Sequence, residues 1–395
     1  MRRARKVEAL LHCRPNLFFS GYERIGGQPL FVDRARDAYV WDVDGNRYVD
    51  FILGFGTVVL GHADERVTNA VIEALHDGVN PTLLSRRQIE LAERIVELVP
   101  GARRVTFLKN GSDAVDAAVR LARAFTGRRR VLQWGKHGWH DWCAQNAYGV
   151  VEHTRRLTTE LRFNDIDYAQ KLFRRYGEDI ACVVMMPYEL EAPRAGFLHE
   201  LQYMTKANGS LFVLDEVRSG FRIAMGGAQQ YFSLEPDLSA FSKAMANGHA
   251  ISALAGRSAV MKHILKLGLT VTYYRSPDAM AAALATLSIL EQERGPDKLA
   301  CLGTRLMNGV DSAIKSTRVR AAMIGYPSTP HIRFNYENEH TNEKAMRIFC
   351  SVMLQRGVLL SPAHHWFVCT SMSFADIDFA VDAALVALEH VETLI

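Results

Sequence analysis

Short runs of apolar residues alternate with longer stretches of helical periodicity from about residue 63 to residue 300. Several runs are continuously apolar, as in strands that are buried on both faces of a sheet. The predicted strands are 105–108, 131–134, 181–186, 211–214 and 238–241, and helices are expected at 89–99, 114–125 and 279–292. This alternation is typical of an α/β domain with a mostly parallel sheet.

The two ends of the chain have a different pattern. Residues 39–50 predict a short hairpin that turns at Asp44, Gly45 and Asn46. Beyond residue 303, a mixed segment contains an apolar run at 332–334 and a terminal helix over 376–394. We therefore expect a large domain over 63–300 and a smaller, discontinuous α+β domain formed by 1–62 and 301–395.

Composition and charge exclude several classes of protein. The 395 residues are 48% hydrophobic and 23% charged with a net charge of +4, and the basic clusters at 1–6 and 128–130 are too short to predict nucleic-acid binding. No stretch of about 18 apolar residues predicts a membrane span. The six cysteines are far apart, without a C-x-x-C pair, so we expect free thiols, no metal site and a cytoplasmic location.

A lysine and an aspartate follow two of the predicted strands. Asp215 closes the run at 211–214, and Lys243 follows the run at 238–241 among small and apolar residues. Ligands dock at the carboxyl ends of parallel strands, and apolar surroundings lower the pKa of an amine towards its nucleophilic form. These are the two groups that a pyridoxal phosphate enzyme needs, an amine that forms an imine and a carboxylate that holds the ring nitrogen protonated.

A phosphate-binding turn is the third candidate element. Gly111 and Ser112 follow a predicted strand and open the helix at 114–125, and Ser112 is expected to be its N-cap. The free amides of the first turn and the helix dipole favour an anion there.

Several motifs occur together and in a specific order. They are LDEVRSGFR at 214–222, FSKAMANG at 241–248, TFLKNGSDAVDAA at 106–118 and RLARAFTG at 120–127. In this order they resemble the signature of the class III pyridoxal phosphate aminotransferases. The segments HGWHDW at 137–142 and RFND at 162–165 are similar to the branch that contains glutamate-1-semialdehyde aminomutase.

The resemblance implies the fold, the cofactor and a role for each site residue. The expected fold is type I of the pyridoxal phosphate-dependent transferases, and the expected assembly is a homodimer with shared active sites. Lys243 would be the Schiff-base lysine and proton shuttle, and Asp215 the partner of the pyridinium nitrogen. The other implied cofactor contacts are Val217 on one ring face, Gly111 and Ser112 at the phosphate, and Thr272 lent by the neighbouring subunit.

Departures from the family pattern concern the walls of the site. Lys136 stands where the family has an aromatic residue on the pyridine ring, so either its alkyl stem contacts the cofactor or Trp134 or Trp139 takes that place. Met186 and Pro187 replace a Glu-Pro pair, unless Glu189 or Glu191 substitutes for the missing carboxylate. The last departure is TYYRSP at 272–277, which brings two tyrosines and an arginine close to the partner's site.

The substrate is predicted only by class. No arginine or lysine occurs from Gly357 onwards, which leaves Arg275 and Arg333 as candidate carboxylate binders. The polar and aromatic residues that could contact a hydroxyl-rich, cationic acceptor are Tyr273, Tyr274, His364, His365 and Trp366.

We therefore expect an aminotransferase that moves an amino group from glutamate or glutamine to an aldehyde or ketone, with an oxidised amino sugar or aminocyclitol as the favoured acceptor. The alternatives are a glutamate-1-semialdehyde aminomutase-type isomerase and, from another class, a cofactor-binding homologue without turnover. Lys136 in the stacking position favours the last alternative, whereas Lys243 and Asp215 argue against it.

Overall fold

The computed structural model describes residues 31–146 and 148–395. Cys13 and the basic cluster at 1–6 lie outside the described residues. The strands are β1 Val32–Arg36, β2 Tyr39–Asp42, β3 Arg47–Asp50, β4 Arg104–Leu108, β5 Arg130–Trp134, β6 Thr158–Glu160, β7 Ile180–Met185, β8 Leu211–Asp215, β9 Leu238–Phe241, β10 Ser252–Gly256, β11 Ala321–Tyr326, β12 Thr329–Phe334 and β13 Val358–Leu359.

Helices connect these strands, and the helices predicted at 89–99, 114–125, 279–292 and 376–394 are among them. They are α1 Leu53–Gly56, α2 Glu65–His76, α3 Arg86–Leu98, α4 Gly111–Thr126, α5 Glu152–Arg156, α6 Ile166–Tyr176, α7 Phe197–Ala207, α8 Gly227–Tyr231, α9 Ser258–Met261, α10 Pro277–Gln292, α11 Gly295–Lys315, α12 Glu339–Gln355 and α13 Phe374–Leu394. Short 3₁₀ helices lie at Gly177–Asp179, Lys243–Ala246 and Ile264–Leu267.

The described residues divide into two compact units. One unit is 65–296, and the other contains the described residues up to 64 together with 297–395. The domain limits predicted from the sequence, at 62/63 and 300/301, stay a prediction.

A seven-stranded sheet in the order β4-β10-β9-β8-β7-β5-β6 forms the centre of the 65–296 unit. The strands β6, β5, β7, β8 and β9 pair in parallel, and β10 lies antiparallel between β9 and β4. Both faces of the sheet are covered: Cys182 and Val184 of β7 face one apolar cluster, and Val183 and Met185 face the other. The predicted α/β fold with a mostly parallel sheet is confirmed.

The other unit contains a four-stranded sheet in the order β1-β2-β3-β13 and the hairpin β11-β12. The predicted hairpin at 39–50 is present as β2 and β3, with Val40 opposite Tyr48. Its turn is held by Asp42, whose carboxylate accepts hydrogen bonds from the Asn46 backbone and side chain and from the Tyr48 hydroxyl. The terminal helix α13 begins in a capping box formed by Ser373 and Asp376.

No helix in the described part of the chain is long and apolar enough to cross a membrane. Cys143, Cys182, Cys301, Cys350 and Cys369 are free thiols.

Candidate active site

The predicted site residues of the 65–296 unit lie at one edge of its sheet. Because β4, β5, β8 and β9 run in the same direction, the residues that follow their carboxyl ends are neighbours. Asp215 is the last residue of β8 and pairs in register with Ala240 of β9, three residues before Lys243. The structure therefore places the lysine and the aspartate after neighbouring strands.

The Asp215 carboxylate is buried and accepts a hydrogen bond on each oxygen. The backbone N–H of Val217 donates to Oδ1 at 3.0 Å. His137 Nδ1 lies 2.6 Å from Oδ2. Donors from two different segments of the chain thus hold the two carboxylate oxygens in place.

Lys243 begins a 3₁₀ turn with a backbone φ of 46°, in the left-handed region that few residues other than glycine adopt. The preceding residue, Ser242, fixes this turn because its hydroxyl donates to the Ile251 carbonyl at 2.9 Å. Burial and the positive charge of Arg218 together lower the pKa of the Lys243 amine to about 8, although the negative charge of Asp215 opposes them. The amine is therefore available in its nucleophilic form near neutral pH.

The phosphate turn begins α4, but its cap differs from the prediction. Asn110 is the N-cap, and its side-chain oxygen accepts the Asp113 backbone N–H at 3.0 Å. Ser112 is the second residue of the helix, two positions after the cap, so the expectation that Ser112 is the N-cap was wrong. Asn110 can cap because its backbone is extended, whereas Ser112 lies within the first helical turn.

Two glycines bring the backbone and side chains of this turn close together. A Cβ on Gly111 would lie 2.7 Å from Val217 Cγ1, and a Cβ on Gly138 would lie 2.1 Å from Ser112 Oγ. Gly111 thus lies against Val217, whose amide binds Asp215, and Ser112 lies against Gly138. A helix N-terminus with close backbone approach, beside a carboxylate and a buried lysine, fits the phosphate, ring nitrogen and aldehyde of pyridoxal phosphate.

The three candidates for the ring-covering position have different surroundings. Lys136 is exposed, and its backbone N–H contacts the Met186 sulfur at 3.2 Å. The Trp134 ring stacks on Phe163 with 4.0 Å between centroids, as part of the apolar cluster on one sheet face. Trp139 is 80% exposed. The Trp134 ring is therefore occupied by core packing, and Lys136 and Trp139 are the candidates with exposed side chains.

A buried arginine stands next to the site and was not among the predicted site residues. Arg218 Nη2 donates to the Tyr188 carbonyl at 2.5 Å, and Nη1 lies 3.6 Å from Glu189 Oε1. Burial lowers the pKa of the Arg218 guanidinium. The sequence feature that could have identified Arg218 as a site residue is its position in the motif at 214–222, three residues after Asp215. Glu189, one of the two carboxylates considered as substitutes for the missing Glu-Pro glutamate, is thus in contact with this arginine.

The remaining candidates are distributed over both units. Thr272 is exposed in the 65–296 unit, and its carbonyl accepts a hydrogen bond from Asn80 at 3.3 Å. Arg275 donates to the Thr82 carbonyl at 2.8 Å and lies over the Tyr274 ring. In the other unit, Arg333 is exposed on β12, whereas Trp366 is fully buried and donates to the Ser361 carbonyl at 2.9 Å. Trp366 is thus a packing residue.

Among the described residues, no three His, Cys, Asp or Glu side chains come together as a metal site requires.

Comparison with known proteins gives consistent matches over nearly the whole chain. A family model described as "Aminotransferase class-III" matches residues 22–391. A 3-aminobutyryl-CoA aminotransferase of Cloacimonas acidaminovorans is 31% identical, with 94% of this chain and 91% of the relative covered. A glutamate-1-semialdehyde 2,1-aminomutase of Laribacter hongkongensis is 34% identical, with 93% of both chains covered. The FumI protein of Sphingopyxis sp. MTA144, solved in a PLP-bound form, superposes with a TM-score of 0.87 at 28% identity, covering 91% of this chain and 88% of FumI.

Proposed function

The chain belongs to the class III aminotransferases, which are pyridoxal phosphate-dependent enzymes of fold type I, and on that premise we propose its reaction and its site residues. The reaction is transfer of an amino group from glutamate or glutamine to an aldehyde or ketone. The observation that carries the assignment of residues is the placement of Lys243 and Asp215 after neighbouring strands, with the amine pKa lowered to about 8.

When bound, pyridoxal phosphate supplies an electron sink for the carbon that loses or gains a proton. Lys243 Nζ would hold the cofactor covalently and would carry a proton between two carbons of the bound substrate. Asp215 would pair with the ring nitrogen through its buried carboxylate. Gly111 and Ser112 would bind the phosphate at the start of α4, and Val217 would pack on the ring.

The favoured acceptor is an oxidised amino sugar or aminocyclitol. Exposed Tyr273, half-buried Tyr274 and the carboxylate of Glu189 support a hydroxyl-rich, cationic molecule, because rings stack on sugar faces and a carboxylate pairs with an ammonium group. Arg218 supplies a positive charge that fits the carboxylate of the amino donor.

A homodimer with shared sites is part of this proposal. Two adjoining loops, 77–85 and 268–276, are joined by the hydrogen bonds Asn80–Thr272 and Arg275–Thr82. They carry the exposed apolar side chains Val79, Leu83, Leu84 and Tyr273. An exposed apolar patch of this kind supports a subunit interface, and it would place Thr272 at the partner's phosphate. The free thiols support a cytoplasmic location.

The second candidate function is a glutamate-1-semialdehyde aminomutase-type exchange of amino and oxo groups within one molecule. It is favoured by the Laribacter hongkongensis relative and by the motifs at 137–142 and 162–165. The same residues would serve, since only the identity of the amino acceptor differs.

The experiment uses the protein purified with pyridoxal phosphate, alongside Lys243→Ala. Its absorption spectrum is recorded before and after glutamate or glutamine, followed by a panel of oxidised amino sugars, aminocyclitols and glutamate-1-semialdehyde. Release of one 2-oxo acid per aminated product supports the aminotransferase. Conversion of glutamate-1-semialdehyde without a separate donor supports the aminomutase. A wild-type protein whose spectrum is changed neither by an amino donor nor by glutamate-1-semialdehyde contradicts both.

A further inference from the structure

The strongest contact of Asp215 is made by a histidine that the site prediction did not include. His137 Nδ1 lies 2.6 Å from Asp215 Oδ2, and both side chains are almost completely buried. His137 follows β5, two strands away from β8 in the sheet. The contact therefore joins two separate strand ends at the edge where the cofactor is proposed to bind.

The surroundings of His137 Nε2 indicate whether His137 or Asp215 carries the proton of this hydrogen bond. His137 Nε2 is buried and has no hydrogen-bond partner among residues 31–146 and 148–395. A buried N–H without an acceptor loses its hydrogen bonds to water, whereas a neutral ring that donates through Nδ1 leaves only a lone pair at Nε2. The surroundings therefore favour the tautomer in which Nδ1–H donates to Asp215.

Packing restrains the histidine as well. Trp142 lies almost parallel to the His137 ring, with 5.9 Å between centroids and 18° between planes. Trp142 is itself buried in the apolar cluster that includes Val115 and Val184. The histidine ring is thus supported on one face by the core, and the Asp215 carboxylate is held at Oδ2 by His137 and at Oδ1 by the Val217 amide.

We propose that His137 is a positioning residue, which fixes the charged Asp215 carboxylate in the orientation required by the ring nitrogen of the cofactor, an inference that rests on the proposed function. His137 acts through Asp215 and takes no proton from the substrate. Removing its N–H leaves Oδ2 without a donor inside a buried site, so the carboxylate is less able to stabilise a charged ring nitrogen.

The test compares two polar substitutions of similar character. In His137→Asn the amide nitrogen is attached where Nδ1 was, so a donor to Asp215 is retained. In His137→Gln the nitrogen lies one atom further out, in the place of Nε2. His199→Asn on the exposed surface of α7 is the control for the substitution itself.

Two measurements are made on each holoenzyme: the ¹⁵N chemical shift of the ring nitrogen in labelled pyridoxal phosphate over a pH series, and the dissociation constant of the cofactor. We expect His137→Asn and His199→Asn to match the wild type. His137→Gln should lose ring-nitrogen protonation at lower pH than the wild type and bind the cofactor about tenfold more weakly.

Each outcome decides a specific claim. Equal ¹⁵N titrations in His137→Asn and His137→Gln would overturn the positioning role while leaving the proposed function intact. A wild-type protein that does not bind pyridoxal phosphate, or binds it with an unprotonated ring nitrogen, would overturn the assigned role of Asp215 and this inference together.

Discussion

The charge of the Lys243 amine decides at which pH the site can react. Its pKa of about 8 places roughly one amine in ten in the uncharged form at pH 7, compared with about one in several thousand for an ordinary lysine. The lowering comes first from burial and then from Arg218, so it is built into the folded chain. Nucleophilic reactivity of the cofactor-free protein should therefore follow this titration.

We predict that the rate at which the cofactor-free protein binds pyridoxal phosphate covalently rises with pH and levels off above about 8. The protonated amine below this pH is inert, and the uncharged amine above it is the nucleophile. Stopped-flow absorbance at a series of pH values measures the rate, with a blocked lysine as the reference amine. A rate that continues to rise towards pH 10, as for the reference amine, would show an ordinary lysine pKa.

Gly111 is the second single residue on which cofactor binding is expected to depend. We predict that Gly111→Ala weakens pyridoxal phosphate binding by tenfold or more, because its Cβ would lie 2.7 Å from Val217 Cγ1 and must displace that side chain. Overpacking of this kind costs about 1–3 kcal/mol. The measurement is the cofactor dissociation constant.

The matched control is the double variant Gly111→Ala with Val217→Ala, which removes both Cγ atoms from the clash. Val217→Ala alone measures the loss of the ring contact, and we expect Gly111→Ala to weaken binding less in the Val217→Ala protein than in the wild type. An equal effect of Gly111→Ala in the two proteins would show that it arises from the backbone and not from contact with Val217.

At the scale of elements, the end of β8 is tied to the start of α8 by Glu216. This fully buried carboxylate accepts hydrogen bonds from the Ser219 hydroxyl and from the backbone N–H groups of Ala228 and Gln229. Burial raises its pKa to about 7 despite these donors. Glu216 thus fixes the turn that carries Val217 and Arg218, and it does so in a pH-dependent way.

The sign of that dependence follows from proton linkage. The unfolded chain releases the Glu216 proton near pH 4.5 and the folded chain near 7, so the folded state binds more protons between these values. This contribution to the free energy of unfolding is therefore present below 4.5 and is lost as the pH rises through 7.

We predict that Glu216→Gln removes this decrease, which is on the order of 3 kcal/mol between pH 4.5 and 7.5. Urea unfolding of both proteins at the two pH values gives the free energies. Glu235→Gln, at an exposed position, is the control and should retain the wild-type decrease. An unchanged pH dependence in Glu216→Gln would assign the decrease to other groups.

The elements that the sequence predicts well are those with strong local signals. The apolar runs of β7, β8 and β9 are buried throughout, and the hairpin at 39–50 has its turn chemistry in the sequence. The strand β10, Ser252–Gly256, was not predicted, because its small residues lack the β-branched side chains typical of strands and its pairing with β4 and β9 is non-local.

The site shows the same division between local and non-local information. Lys243, Asp215 and Gly111 could be selected because each follows a strand-like run in a motif. His137 and Arg218 also lie in motifs, but their importance depends on contacts with Asp215 and Glu189 that are made across the sheet edge. The N-cap was misplaced because Asn110 and Ser112 both favour that position, and backbone geometry decides between them.

At the scale of the whole molecule, a single chain exposes the apolar side chains of the loops at 77–85 and 268–276 to solvent. Leu83 is 78% exposed and its neighbour Leu84 is 63% exposed, which is unfavourable for a protein that remains monomeric. If these loops form the proposed interface, Thr272 of each chain contacts the cofactor of the other. The arrangement of catalytic residues over two subunits can then be tested without a structure of the dimer.

We predict that mixing two inactive or impaired variants restores activity. In a hybrid of a Lys243→Ala chain with a Thr272→Ala chain, one site combines the intact Lys243 of the second chain with the intact Thr272 of the first. That site should have wild-type affinity for pyridoxal phosphate and wild-type turnover, so activity after unfolding and refolding a mixture should exceed the sum of the two homodimers.

Light scattering establishes the dimer, and Leu83→Asp in both chains should abolish the recovery. If Thr272 serves the cofactor of its own chain, each hybrid site carries either the Lys243 or the Thr272 substitution, and no activity beyond the sum appears.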